Sequence, residues 1–292
     1  MRPLKVGLFM PADRPWAELR PMIEMAESVG FDSVWIMDHL IFRNNEGTSG
    51  VWECWSLVTA IAAVTTRMEI GTLVGCMPFR NPAMLAKIVD TIEDISNGRV
   101  IVGVGAGWHE PEFKAFGYPF DHRASRFEEA FTILRGLLRT GKVDFEGRYH
   151  QAPDCELLPR GPRPNGPPLL IGTKGERMLR LTAEHADLWN GCWFRDPSEV
   201  AVPRALVDAA CQTVGRDPKT LGRTGGIRLD LPGRTGKGAG TPAPMIDSPE
   251  QAADILRAYA AEGLSHLQVW LDPRTVSSIE QFGRTLDVLD RG

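Results

Sequence analysis

The residues with the most chemical potential in this chain stand beside short apolar segments. Asp38-His39 closes one of them, Ser33 to Met37. A histidine titrates near neutral pH and can exchange a proton with a substrate while a hydride moves elsewhere. The plain alternative is a loop histidine beside a helix-capping aspartate. Gly103-Val104-Gly105-Ala106-Gly107 follows another apolar segment. Such a cluster lets backbone approach a flat ring or a phosphate, although it lacks the full dinucleotide fingerprint and equally describes a tight turn. Gly172-Thr173-Lys174-Gly175-Glu176-Arg177 combines a helix start, a hydroxyl and two cations. That is a phosphate seat in outline, or a capped helix with solvated charges. Leu73-Val74-Gly75-Cys76 is small and apolar enough to floor a pocket or to be core. Trp108-His109-Glu110 carries two more titratable groups, which could equally be rim residues without a role. Trp189, Trp193 and Trp270 suit an apolar pocket wall or a buried core.

The elements that must position these residues alternate along the whole chain. Strands are expected at Val6 to Met10, Ser33 to Met37, Ile70 to Val74, Val100 to Val104, Leu169 to Ile171, Asp187 to Asn190, Ile227 to Leu231 and Leu267 to Leu271. Helices are expected between them: Trp16 to Val29, Glu53 to Thr66, one opening at Pro82 and closing near Asn97-Gly98, Arg126 to Leu138, Glu176 to His185, one from Pro197-Ser198, Pro249 to Ala261, and Ser277 to Leu289. Arg43 to Gly50, Gly105 to His122 and Gly233 to Pro244 read as loops able to serve as a lid. Val143 to His150, bent at Gly147, reads as a small hairpin inserted after the fourth helix. Eight strands each followed by a helix predict a single (β/α)8 TIM barrel over residues 1–292. A doubly wound open sheet would place a glycine-rich fingerprint after its first strand, where this chain has Pro11-Ala12-Asp13. In a barrel, chemistry belongs to the loops that follow the strands.

Composition narrows the partners. With 292 residues, 43% hydrophobic, and a formal charge of −4 without a Lys/Arg-rich run, a large core is available and wholesale nucleic-acid or anionic-membrane binding is not expected. The five cysteines Cys54, Cys76, Cys155, Cys192 and Cys211 show no CxxC spacing, so neither a zinc site nor a disulfide framework is suggested, and they read as reduced thiols of a cytoplasmic protein. No signal peptide or membrane-spanning run is apparent.

Several segments occur in a characteristic order: Gly30-Phe31-Asp32-Ser33-Val34-Trp35, Asp38-His39, Gly71-Thr72-Leu73-Val74, Phe79-Arg80-Asn81-Pro82-Ala83-Met84-Leu85-Ala86-Lys87, Ser96-Asn97-Gly98-Arg99, Gly103 to Trp108, Pro167 to Gly172, and Ala186 to Asn190. Together they resemble the luciferase-like monooxygenase superfamily, particularly its members that use the deazaflavin F420. The resemblance implies a cofactor ring lying across the strand ends, near Leu73, Val74, Gly75, Gly105, Ala106, Gly107 and Trp108. It implies a ribityl phosphate near Gly172, Thr173, Lys174, Gly175 and Arg177, and a non-prolyl cis peptide at Leu73-Val74 or one residue on. His39 would sit near the reactive carbon, with Asp38 helping to place the ring. Some deazaflavin dehydrogenases of this kind carry a catalytic glutamate after strand four. Here Trp108, His109 and Glu110 stand at that place, which argues against a sugar-phosphate dehydrogenase.

The function expected from the resemblance is F420-dependent hydride transfer to or from an imine, enone, carbonyl or alcohol. The alternatives are an FMN-dependent monooxygenase fed by a separate reductase and a barrel that binds the cofactor without turnover. A metal-dependent hydrolase using His39, His109 and His122 is a further rival, disfavoured by the absence of HxH on the first strand. The resemblance also implies a homodimer.

Overall fold

The computed structural model describes residues 2–44, 47–236 and 243–291. Eight parallel strands close on themselves: β1 (Lys5–Met10), β2 (Ser33–Ile36), β5 (Glu69–Thr72), β7 (Val100–Gly105), β10 (Leu169–Gly172), β11 (Leu188–Phe194), β12 (Gly222–Asp230) and β13 (His266–Asp272). The ring runs β10-β11-β12-β13-β1-β2-β5-β7, and Leu170 opposite Gly103 closes β10 onto β7. Helices α1 (Trp16–Ser28), α2 (Cys54–Val64), α3 (Pro82–Ser96), α5 (Arg123–Thr140), α6 (Glu176–His185), α7 (Ala201–Thr213), α8 (Pro249–Ala261) and α9 (Val276–Arg291) each follow one barrel strand. The expected (β/α)8 barrel is the observed fold.

The strand period of two sorts the side chains. Outward residues such as Val6, Leu8, Val34, Ile36, Val102, Val104, Leu267 and Val269 pack under the helices in a continuous apolar core that runs from Leu4 to Leu289. Inward residues are more varied. Phe9, Trp35, Ile101 and Leu170 form a separate apolar cluster. The Trp35 indole occupies space that Gly71 must leave open, because a Cβ there would lie 2.2 Å from its ring. Below the mouth, Trp35 Nε1 donates to Ser33 Oγ, and Ser33 lies 2.7 Å from His266 Nε2. Asn190 Nδ2 donates to Thr224 and Gln268.

Helix ends follow their local sequence. Asn81 Oδ1 accepts the Ala83 and Met84 amides at the start of α3, with Pro82 in the first turn. Asn97 (φ 52°) and Gly98 (φ 80°) end it in left-handed conformations.

Several segments differ from the sequence expectation. Across the expected Arg43 to Gly50 loop, Ile41–Asn44 (β3) pairs antiparallel with Gly47–Gly50 (β4), residues 45 and 46 lying outside the described residues. The long segment after β7 contains α4 (Glu110–Phe116), with Pro111 in its first turn and a left-handed Gly117 at its end. The inserted hairpin extends past His150, as β8 (Lys142–Glu146) against β9 (Gln151–Glu156). The third barrel strand stops at Thr72, and a two-residue strand β6 (Gly75–Cys76) rejoins β7 after a cis Leu73-Val74 peptide. That is where the resemblance placed a non-prolyl cis bond. The sixth strand runs to Phe194 with a register shift between Asn190 and Trp193. The seventh begins at Gly222, ahead of the expected Ile227, a start that the inward Thr224, Gly226 and Arg228 leave unmarked by any apolar alternation. Pro197–Val200 is a 3-10 turn before α7. Part of the expected Gly233 to Pro244 loop, residues 237–242, lies outside the described residues. No helix among the described residues is long and apolar enough to cross a membrane.

Candidate active site at the barrel mouth

A cavity of about 1200 Å³ opens at the C-terminal ends of the strands, on the face where loop residues of this fold do chemistry. Its lining includes Asp38 and His39 after β2, the Leu73 to Cys76 bulge, Gly105 to Trp108 after β7, and Gly172-Thr173 after β10. Phe9, Trp193 and Trp270 make an aromatic wall, with Phe9 and Trp193 centroids 4.9 Å apart and edge to face.

His39 is held from below. Its Nδ1 lies 2.9 Å from Glu112 Oε1, and the Leu40 amide donates to Glu112 Oε2 at 2.8 Å. Glu112 is almost wholly buried, and one carboxylate thus fixes both the imidazole and the backbone next to it. With Nδ1–H donating to Glu112, Nε2 is the ring nitrogen left to exchange a proton, and no described residue bonds it. Phe42 and Trp108 flank the ring, at 4.4 Å and 5.6 Å between centroids. Glu112 went unnoticed in the sequence, although Pro111 at a helix start and Gly117 at its end mark α4. A residue two places past Glu110 then falls on the buried side of that short helix.

Asp38, expected beside the ring, has both oxygens engaged. Arg80 grips Oδ2 and Oδ1 at 2.5 Å and 3.0 Å, and the Cys76 amide donates to Oδ2 at 2.8 Å. Burial pushes its carboxyl above the usual range, against the pull of Arg80. Burial acts to lower Arg80, but the Asp38 charge and the Glu53 contact hold it above its ordinary value. Asp38 therefore ties β6 and the turn before α3 to the end of β2, which sets the height of the Leu73-Val74 bulge.

The glycines allow close layers. A Cβ on Gly103 would lie 2.0 Å from the Thr72 carbonyl oxygen, and one on Gly105 would lie 2.8 Å from Val74 Cγ2. Gly75 pairs with Val104 where Gly71 pairs with Ile101, so the β5–β6 side carries one extra residue, and Val74 lies over Gly105 and Gly172. Val74, Gly105, Ala106 and Gly172 form a wall poor in side chains.

At the β10 rim, Thr173 Oγ1 accepts the Gly175 amide at 3.3 Å, and no side chain caps α6. A Cβ on Gly175 would meet nothing within 4 Å, and Lys174 is exposed beside it. Arg177 turns away, to Ser125 and Glu128 on α5. Lys174, Gly175 and Arg177 do not line the cavity, whereas Thr173 and Gly172 do. Of the three tryptophans, Trp189 is core, its Nε1 donating to the Thr173 carbonyl. Burial pushes the Cys54, Cys76 and Cys192 thiols up, so they stay protonated at neutral pH and are poor nucleophiles. Among the described residues no group of three His, Cys, Asp or Glu side chains is placed to hold a metal ion. His122 instead packs on Tyr149.

Fold and site together define a (β/α)8 barrel with a carboxylate-held histidine beside a large cavity at its C-terminal mouth. The luciferase-like monooxygenase family model matches residues 4–229, and the chain belongs to that family. It is 30% identical over 215 residues to 5,10-methylenetetrahydromethanopterin reductase of Archaeoglobus fulgidus, covering 73% of this chain and 60% of the reductase. It is 35% identical over 224 residues to the pyrimidine monooxygenase RutA of Rhizobium rhizogenes, covering 71% and 59%. The chain thus spans about 60% of the length of these relatives. An F420-dependent secondary alcohol dehydrogenase in complex with an F420–acetone adduct has the same fold, with a TM-score of 0.85 over 99% of both chains at 21% identity.

Proposed function

We propose that this chain is an oxidoreductase that holds a flavin-type cofactor in the barrel mouth, that the cofactor is F420, and that a small organic substrate exchanges a proton with His39. The His39–Glu112 pair on the wall of a large, mostly apolar cavity carries this reading. The residues present fit such a group. Val74, Gly105, Ala106 and Gly172 offer a flat backing for a ring. The uncapped start of α6 offers backbone amides, and Thr173 in the cavity lining offers a hydroxyl, to a phosphate. Bound there, a deazaflavin supplies a carbon that gives or takes hydride, whereas reduced FMN would supply oxygen activation.

The chain's own share is orientation and proton movement. Glu112 orients the His39 ring through Nδ1, so Nε2 faces outward to exchange a proton with a substrate oxygen or nitrogen. Phe42 and Trp108 pack against the His39 ring, and Trp193 and Trp270 supply apolar surface elsewhere in the cavity lining. The FMN monooxygenase reading has its own support in the 35% identity to RutA. Turnover decides among the readings. A substrate-dependent loss of reduced F420 absorbance that needs no oxygen and disappears in His39→Ala supports the proposal. Oxygen-dependent turnover with reduced FMN alone would replace it, and cofactor binding without turnover on any imine, enone, carbonyl or alcohol would leave a non-catalytic binder.

A further inference from the structure

The rim formed by β1 and β13 holds a cation that the structure leaves largely unsatisfied. Arg274 is only 6% exposed, yet it lines the cavity. Of its N–H groups, Nη2 alone has a hydrogen-bond partner among the described residues, the Asp13 carboxylate at 2.6 Å. Nε is sealed from solvent without a partner. Arg14, also in the cavity lining, stands close by, its nearest carboxylate being Glu18 at 3.6 Å, beyond good hydrogen-bond range. Burial holds the Arg274 guanidinium below its ordinary value. Asp13 opposes that, and Arg14 adds like charge. A buried guanidinium with unmade hydrogen bonds is costly, and an anion arriving through the cavity offsets part of that cost at the Nη groups, the sealed Nε staying out of its reach.

The topology says what arrives there. In the ring of eight strands β1 lies four places from β10, on the opposite side of the mouth, and next to β2, which carries His39. A cofactor whose phosphate rests at the β10 rim therefore leaves the β1/β13 rim to the substrate. The aromatic wall of Phe9, Trp193 and Trp270 adjoins that rim. Asp13 and Asp272 lie in the same lining, so a dianion would meet repulsion that a monoanion meets less of.

We propose that Arg274, seconded by Arg14, is a subsite for the carboxylate of a substrate whose flat or apolar body lies along Phe9, Trp193 and Trp270 towards His39. The proposal rests on the reading of this cavity as the site of an oxidoreductase. A planar carboxylate matches the edge of a guanidinium, which makes the contact selective for the ionised acid over its amide.

The test uses the purified chain with benzoate, its neutral isostere benzamide and phenyl phosphate, followed by tryptophan fluorescence and calorimetry, with F420 binding measured in parallel. Benzoate is expected to bind about tenfold or more tightly over benzamide, and Arg274→Met to remove that preference while F420 affinity stays within about threefold. Arg14→Met, at a more exposed position, should reduce the preference several-fold, and it carries the test if Arg274→Met does not fold. Equal binding of benzoate and benzamide, a preference untouched by these substitutions, or tighter binding of phenyl phosphate overturns the subsite. If F420 fails to bind but the arginine-dependent benzoate preference remains, the subsite stands and the cofactor reading alone falls.

Discussion

At the scale of single residues, the proton chemistry proposed for His39 depends equally on Glu112, which holds its Nδ1. If His39 is the proton carrier, His39→Ala should lower substrate turnover by about 10²–10⁴-fold with cofactor affinity kept. Glu112 acts through His39 as a positioning residue. Glu112→Gln keeps an acceptor for the Leu40 amide but turns a donor NH2 group, in place of a carboxylate oxygen, towards His39 Nδ1. Its kcat should drop by about 10–100-fold with KM little changed, because the substrate-binding rim is untouched. An equal rise in KM would point to a collapsed site instead. A second histidine, His266, is expected to contribute to acid sensitivity. Trp35 Nε1 donates to Ser33 Oγ, and Ser33 Oγ lies 2.7 Å from His266 Nε2, where its hydroxyl can donate to a neutral imidazole. Burial lowers this histidine from 6.5 to about 3. The unfolded chain therefore binds more protons below its unperturbed value, and stability falls as pH drops through the window from about 6.5 to about 3. The slope should approach about 1.4 kcal/mol per pH unit, and urea unfolding in His266→Gln should show a flatter acid limb. Asp38-His39 stood out in the sequence by position after a strand. Glu112 and Arg274 did not, because Leu40 and Asp13, which reveal their roles, are far away along the chain.

At the scale of elements, the legible parts were those whose local chemistry is sufficient. Asn81-Pro82 and Asn97-Gly98 bracket α3, and the apolar runs of β1, β2 and β7 mark buried strands. Strand β12 was only half visible because its inward side chains, Thr224, Gly226 and Arg228, face a polar and crowded interior rather than an apolar one. The β3–β4 ribbon has β4 exposed along its length, so no alternation marks it. The bulge of β5 and β6 was expected only through a family resemblance, and its packing rests on Gly103. Thr72 Oγ1 donates to the Gly103 carbonyl at 2.6 Å and accepts its amide at 3.1 Å, leaving no room for a methyl group. Gly103→Ala should destabilise the barrel by about 1–3 kcal/mol in urea unfolding and weaken cofactor binding together with it. A midpoint within error of the parent chain would contradict this close apposition.

At the scale of the whole molecule, closure of the ring brings together groups that sequence spacing cannot relate. Asp13 and Arg274 meet across 261 residues, and the β1 and β10 rims face each other only because the sheet closes. The repeated strand–helix alternation made that closure legible, while the charges and aromatic rings around the mouth became a site only in three dimensions. In the proposed arrangement one side of the mouth takes a cofactor phosphate, the middle a ring beside His39, and the other side the substrate. The most direct test is a paired titration of the purified chain with F420 and FMN, each oxidised and reduced, followed by fluorescence. The account predicts micromolar or tighter binding of F420, at least about tenfold tighter than FMN, corresponding to about 1.4 kcal/mol. Preferential binding of reduced FMN, or no binding of either, would contradict it.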